Sequence, residues 1–243
     1  SPHSAVAFNP AAGSFLVVWE GDDSAGGLAD DELEIFGQLL SAVGGELGNN
    51  DVRISLAGGT GDPDFDAVYP AVACNTVDDE YLVVWAQDTG DGDLIDEEFE
   101  IWGQRLDPFL FPLGGDFRIS VMGPDGIGFY DAERPAVVYN PDVNEYLVVW
   151  SGDDDSGGLV NDEFEIWAQR VSAGGTLIGA NLRISDMGGT GDFHFTAVVP
   201  DVVYNSQEQV YLIVWGGDDN VGGLVDGEYE VFGQLMDAAG AGV

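Results

Sequence analysis

The chain has 243 residues and carries 45 acidic against six basic residues, a formal net charge of −39, in a composition that is 45% hydrophobic and 11% aromatic. A chain of this length and apolar content can bury a substantial core, while a field this negative excludes nucleic acid and insertion into anionic membranes as roles. The same field strains the compact state by self-repulsion, so cations are expected to matter, either at specific divalent sites or through general adaptation to salt.

All six basic residues are Arg, and the single cysteine, Cys74, rules out an intrachain disulfide. The opening Ser1-Pro2-His3-Ser4 lacks the basic and apolar regions of a signal peptide, which points to a processed chain or a fragment. From there the chain repeats itself. Phe15-Leu16-Val17-Val18-Trp19 is followed by Glu34-Ile35-Phe36-Gly37-Gln38 and then by Val52-Arg53-Ile54-Ser55. The first block returns at 81–85, 146–150 and 211–215, the second at 100–104, 165–169 and 230–234, and the third at 117–120 and 182–185. One unit of about 65 residues is therefore copied four times, over 4–70, 71–135, 136–200 and 201–243, within one domain.

Within the third copy the pattern predicts four strands: Ala136–Asn140, closed by an Asn-Pro turn, Tyr146–Trp150, Glu163–Val171, and about Leu177–Ser185. The second strand fixes the architecture. Tyr146, Val148 and Trp150 share one face and Leu147 and Val149 the other, so both faces are apolar and the sheet must be covered on both sides. Antiparallel sheets stacked between copies of themselves are propeller blades, so the expected fold is an all-β propeller of four blades, each a four-stranded antiparallel meander. A linear β-solenoid is the alternative, although its coils are usually far shorter. The fourth copy has no counterpart of the last strand, which leaves an incomplete blade, one completed by another chain, or part of a longer array.

Between the second and third strands runs an acidic loop with recurring positions. Three residues after each Trp stands Asp22, Asp88, Asp153 or Asp218; eleven after it, Asp30, Asp96, Asn161 or Asp226; and thirteen after it, Glu32, Glu98, Glu163 or Glu228. Hard cations take six to eight oxygen ligands, and an Asp-rich loop with a fixed Gly can supply them, so these twelve residues are the candidate calcium ligands. The alternative is a solvated hairpin loop in which Asp and Gly serve turn chemistry. Fifteen after the Trp comes a further Glu, and matching the apolar faces of neighbouring strands pairs Glu34 with Arg53, Glu100 with Arg118 and Glu165 with Arg183, leaving Glu230 without a partner.

The string Tyr-Leu-Val-Val-Trp, acidic loop, Glu-Ile-Trp-Gly-Gln-Arg-Leu, Phe-Arg-Ile-Ser resembles an uncharacterised repeat of bacterial secreted and surface proteins. The loops Asp153–Gly157 and Asp218–Gly222 are loosely similar to those of the calcium-binding propeller of integrin α-subunits. The resemblance implies an extracellular or cell-surface location and a structural or interaction role.

Cys74 replaces Phe8, Tyr139 and Tyr204 in the other copies and reads as a core residue, and neither His3 nor His194 recurs. The expectation is therefore a calcium-stabilised adhesion, scaffold or assembly module that is not an enzyme and that engages a protein partner or itself. Two other readings stand beside it. One is a carbohydrate-binding propeller; the other is a glycoside-active enzyme whose site lies where the repeat breaks down, at Phe109–Pro112 or Asp125–Arg134.

Overall fold

The computed structural model describes residues 3–23, 25–90, 92–225 and 227–242 and contains fifteen β-strands, with two single 3-10 turns in place of helices. The strands fall into four antiparallel sheets. The first blade is β1 (Ser4–Asn9), β2 (Ser14–Gly21), β3 (Glu34–Ser41) and β4 (Glu46–Arg53). The second is β5 (Ala67–Asn75), β6 (Glu80–Gln87), β7 (Glu100–Leu106) and the short β8 (Phe117–Arg118). The third is β9 (Ala132–Asn140), β10 (Glu145–Asp153), β11 (Phe164–Ser172) and β12 (Leu177–Arg183). The fourth has three strands, β13 (Ala197–Asn205), β14 (Val210–Gly217) and β15 (Glu230–Asp237). In every blade, strand order follows chain order, the meander that the four-strand pattern predicts.

The core lies between the blades. Leu16, Val18 and Ile35 of the first blade meet Tyr81, Val83 and Trp85 of the second. Leu82, Val84 and Ile101 then meet Tyr146, Val148 and Trp150. At the third junction Leu147, Val149 and Ile166 meet Tyr211, Ile213 and Trp215. The second strands β6 and β10 thus each serve two interfaces at once, as their doubly apolar sequence requires. Trp85, Trp150 and Trp215 are buried and are packing groups rather than exposed platforms, while Trp19 is half-buried. Among the described residues, no apolar cluster joins the fourth blade to the first.

The first strands β1, β5, β9 and β13 are neighbours in space and form the inner wall. In β5, β9 and β13 the pairing with the next strand slips at a bulge, between Val68 and Ala71, opposite Val149 and Ser151, and between Val198 and Asp201. The residue inside each bulge is Tyr69, Arg134 or Val199, with φ of +56°, +50° and +53°, and each is followed by Pro. Bulges re-aim side chains, and these three residues line one cleft.

Just ahead of each of these first strands an aromatic ring closes over a glycine. Gly58, Gly123 and Gly188 have φ of +58°, +61° and +66°, and a Cβ on them would stand 2.2, 2.4 and 2.2 Å from Phe65, Tyr130 and Phe195. Both the backbone and the ring exclude any other residue. Gly123→Ala is expected to cost about 2–5 kcal/mol, the sum of left-handed strain and overpacking. Gly157→Ala has a similar φ of +66° but no atom within 4 Å of the new Cβ, and should cost only about 1–2 kcal/mol. Urea unfolding midpoints of the two variants test the difference.

Candidate functional site

Four features converge at one end of the inner wall. Since β2 runs antiparallel to β1, with Ser4 opposite Trp19, the start of each first strand and the end of each second strand lie at the same end of the blade, where the acidic loop begins. A cleft of about 200 Å³ opens there, lined by His3 and Ser4 and by the pairs Tyr69-Pro70, Arg134-Pro135 and Val199-Pro200. Counting back sixteen residues from each recurring Trp gives His3, Tyr69, Arg134 and Val199, one position occupied by four different residues.

The side chains there are tied together. Glu20, which follows Trp19 and is nearly buried, accepts from the His3 backbone N–H (3.1 Å) and lies 2.9 Å from His3 Nδ1 through Oε1. Its Oε2 accepts the Tyr69 N–H at 2.8 Å, so the first blade clamps the bulge of the second. Ser151 Oγ does the same for the Val199 N–H at 3.1 Å. The His3 and Tyr69 ring centroids are 4.6 Å apart, and the Arg134 guanidinium carbon sits 4.5 Å from the Tyr69 centroid, a cation–π contact. Arg134 donates a long hydrogen bond through Nη2 to the Tyr69 hydroxyl (3.5 Å) and approaches Glu133 at 3.8 Å, and its side chain is half-exposed.

Arg134 is also the one arginine not used by the repeat. Arg105 and Arg170 hold Glu80 and Glu145 at 2.6 and 2.7 Å, and Arg53, Arg118 and Arg183 occupy one equivalent position on the last strands. The Asp125–Arg134 stretch thus ends in the cleft. The Phe109–Pro112 stretch does not: it follows β7 beyond Leu106, at the opposite end of the blade.

The structure assigns the acidic positions a different set of partners. Glu32, Glu98 and Glu163 are buried, and each accepts a backbone N–H three residues back, from Ala29, Ile95 or Val160, at 2.6–3.1 Å. Both oxygens of each also accept the N–H of Gly61, Gly126 or Gly191, at 2.9–3.2 Å. These glutamates fasten the acidic loop to the loop that leads into the next blade. Asp22, Asp88, Asp153 and Asp218 each accept through Oδ2 the N–H nine residues on, at 3.1, 3.1, 2.8 and 2.6 Å. Asp22 is exposed, while the other three are buried, and Asp153 Oδ1 and Asp218 Oδ1 have no hydrogen-bond partner. Asp30, Asp96, Asn161 and Glu228 are exposed, and Asp226 lies outside the described residues. Among the described residues no three His, Cys, Asp or Glu side chains gather as a metal-ligand group.

The Glu of the third strand is held by the Ser of Arg-Ile-Ser, a role the sequence reading missed. Ser55, Ser120 and Ser185 donate through Oγ to Glu34, Glu100 and Glu165. Each Oγ in turn accepts the N–H of Ile35, Ile101 or Ile166, at 2.7, 2.6 and 2.7 Å. Of the three expected ion pairs, Arg118 reaches Glu100 directly. Arg53 instead bonds Thr60 (3.2 Å), and Arg183 bonds Asp186 (3.2 Å), so these two act on Glu34 and Glu165 only through space. Glu230, with no fourth strand beside it, is exposed. Cys74 packs half-buried against the first inter-blade core, and burial pushes its thiol up to about 11.

Burial raises Glu34, Glu100 and Glu165 from the usual 4.5 to about 7, against the opposing pull of their hydrogen bonds. A carboxyl with a raised folded-state pKa binds more protons folded than unfolded between those two values, so stability falls as pH rises from about 4.5 to 7 and then levels. The melting temperature should therefore rise as pH is lowered from 8 to about 5. Ser120→Ala strands the Ile101 N–H and a Glu100 oxygen and should cost about 2 kcal/mol in urea unfolding.

No known protein family and no curated protein matches this sequence. Solved structures do match in fold. An N-acetylgalactosamine deacetylase from F. plautii in complex with blood group B trisaccharide is 10% identical, with a TM-score of 0.59, covering 99% of this chain and 67% of that one. A Hadza microbial sialidase is 11% identical, with a TM-score of 0.63, covering 98% and 44%. The GH93 α-L-arabinofuranosidase of Fusarium graminearum, in complex with arabinobiose, is 12% identical, with a TM-score of 0.58, covering 96% and 61%. The chain thus spans 44–67% of the length of these three proteins.

These neighbours support the β-propeller fold, and they correct the expectation that the chain is not an enzyme. That expectation rested on the scarcity of His and Cys and on carboxylates too numerous for any pair to stand out, yet enzymes are built on this architecture. The adhesion and scaffold reading gains no support from them.

Proposed function

We propose that this chain is a carbohydrate-recognising propeller whose ligand enters the central cleft, and that the ligand is a saccharide bearing a carboxylate. The observation that carries the reading is the convergence of the bulge residues Tyr69 and Arg134, the latter outside the repeat pattern, with His3 in a cleft lined by all four blades. Bulges next to a concave site are where propeller-like sheets aim ligand-binding side chains. The Arg134 fork matches a carboxylate in two-point geometry, and Tyr69 and the Glu20 clamp hold the cationic edge in place. Two of the fold neighbours were solved with saccharides bound, which is consistent with this choice of ligand class.

Titration calorimetry with uronate-containing and neutral oligosaccharides tests it. Binding should favour the acidic set, and Arg134→Gln should weaken it about 10–100-fold, the worth of a charge-assisted hydrogen bond. Equal affinity in Arg134→Gln and the parent chain would remove the cleft from consideration. The same panel, assayed for released reducing ends, reads catalysis separately from binding.

A second reading concerns calcium, in a form narrower than the twelve loop residues. Asp153 and Asp218 each keep one buried carboxylate oxygen without a protein partner, and such an oxygen favours a hard cation. The melting temperature should rise with calcium more than with magnesium at one fixed high ionic strength, and Asp153→Asn with Asp218→Asn should abolish the difference. A rise reproduced by sodium chloride alone would assign the acidic loops to salt adaptation.

A further inference from the structure

The turn that follows the third strand is built the same way in all four blades. Gly44, Leu110, Gly175 and Gly240 each donate a backbone N–H to the carbonyl three residues back, on Ser41, Asp107, Ser172 or Asp237, at 2.9–3.0 Å. All four have a left-handed φ, between +66° and +93°. Only the second blade puts a side chain there. A leucine in that conformation is strained, and it is held because Leu110 is buried in one apolar cluster with Leu39 of the first blade. Leu39 stands where β7 and β11 carry Arg105 and Arg170, which reach the turn of the next blade at the Gly174 and Ala239 carbonyls (3.3 and 3.2 Å). The Leu39–Leu110 contact is thus the apolar replacement for an arginine bridge.

That exchange accounts for Leu110 and not for its two neighbours. Phe109 and Phe111 are 73% and 61% exposed, where the other turns hold Val43 and Gly45, Gly174 and Thr176, or Ala239 and Ala241. Among the described residues neither ring stacks on another aromatic ring. The loop holds them rigidly. Pro108 and Pro112 flank them, and Asp107 Oδ1 accepts both of their N–H groups, at 2.8 and 2.9 Å. The Asp107 N–H donates in turn to the Phe111 carbonyl at 2.9 Å. Leu113, Gly114 and Gly115, which leave the turn, line an open groove of about 560 Å³ that runs to Gly174 and Gly175 of the third blade.

We propose that Phe109 and Phe111 form a second saccharide site, for a neutral glycan chain, at the opposite end of the blade from the central cleft. Area decides against a protein partner. At these exposures the two rings offer about 200–340 Å², well short of the roughly 800 Å² per side of a stable interface. The negative face of an aromatic ring suits the C–H face of a sugar ring. Gly114 and Gly115 have no atom within 4 Å of where a Cβ would stand, so their backbone is open to sugar hydroxyls. Charge decides for a neutral ligand. Arg105, four residues before Phe109, is held by Glu80 at 2.6 Å and by the Gly174 carbonyl, and the net charge of −39 repels an anion. The ligand class is the one proposed for the cleft, but none of the cleft residues takes part.

Native electrophoresis of the whole chain through gels containing linear arabinan, galactan or mixed-linkage β-glucan tests the site. At least one of these neutral polymers should retard the chain. Phe109→Ala and Phe111→Ala should each lower the affinity roughly 2- to 10-fold, the worth of one ring contact. Both variants should keep the melting temperature of the parent, since both side chains are exposed. Phe109→Tyr, which keeps the ring, and Arg134→Gln should be retarded like the parent. Binding of uronate oligosaccharides reads the cleft alone and should be unchanged in the two Phe variants, so either site can fail without the other. A parent chain retarded by none of the three polymers overturns the second site. So does retardation that survives removal of both rings, and so does retardation lost in Arg134→Gln alone, which would place the polymer in the cleft.

Discussion

Strand β10 carries Tyr146, Val148 and Trp150 on one face and Leu147 and Val149 on the other, and all five are buried. Water can be kept from both faces only if a second sheet lies on each side. Stacking copies of the same unit meets that requirement with one interface used repeatedly. The apolar clusters accordingly lie between blades and not within them. A blade by itself is a twisted sheet with two wet apolar faces, so the stability of each copy belongs to its junctions, as in other repeat architectures.

Polar interactions then do what apolar packing cannot, which is to fix the loops at the blade ends. The Glu32, Glu98 and Glu163 carboxylates fasten each acidic loop to the chain entering the next blade, and Ser55, Ser120 and Ser185 join a third-strand carboxyl to the neighbouring backbone. Much of the acidity therefore has a structural use as a set of acceptors for backbone N–H groups, which would otherwise be buried without partners. Such acceptors are costly when ionised in a buried setting, which is why burial raises Glu34, Glu100 and Glu165 so far.

The fold was legible in the sequence because its physical cause is periodic: motifs 65 residues apart and a strand apolar on both faces admit few architectures. The blade pattern, the incomplete fourth blade and the Arg118–Glu100 pair follow from alternation alone. The roles of Glu32, Glu98 and Glu163 did not, because a carboxylate that binds a cation and one that accepts backbone N–H groups look the same in a loop. The central cleft was missed for the opposite reason. Attention to what recurs passes over a position where the residue changes, although the recurring Tyr69-Pro70, Arg134-Pro135 and Val199-Pro200 marked a fixed backbone bearing a variable side chain. The inference against an enzyme is corrected by fold neighbours that include glycosidases; among 45 acidic residues the sequence could not single out a catalytic pair.

That bulge separates two demands that usually compete in a protein. Its backbone is set by the proline that follows and, for Tyr69 and Val199, by an acceptor on the preceding blade, none of which depends on the side chain the bulge presents. Tyrosine, arginine and valine stand at this one address in three blades, on the same bulged backbone. The lining of the cleft can therefore be exchanged one residue at a time while the scaffold stays still.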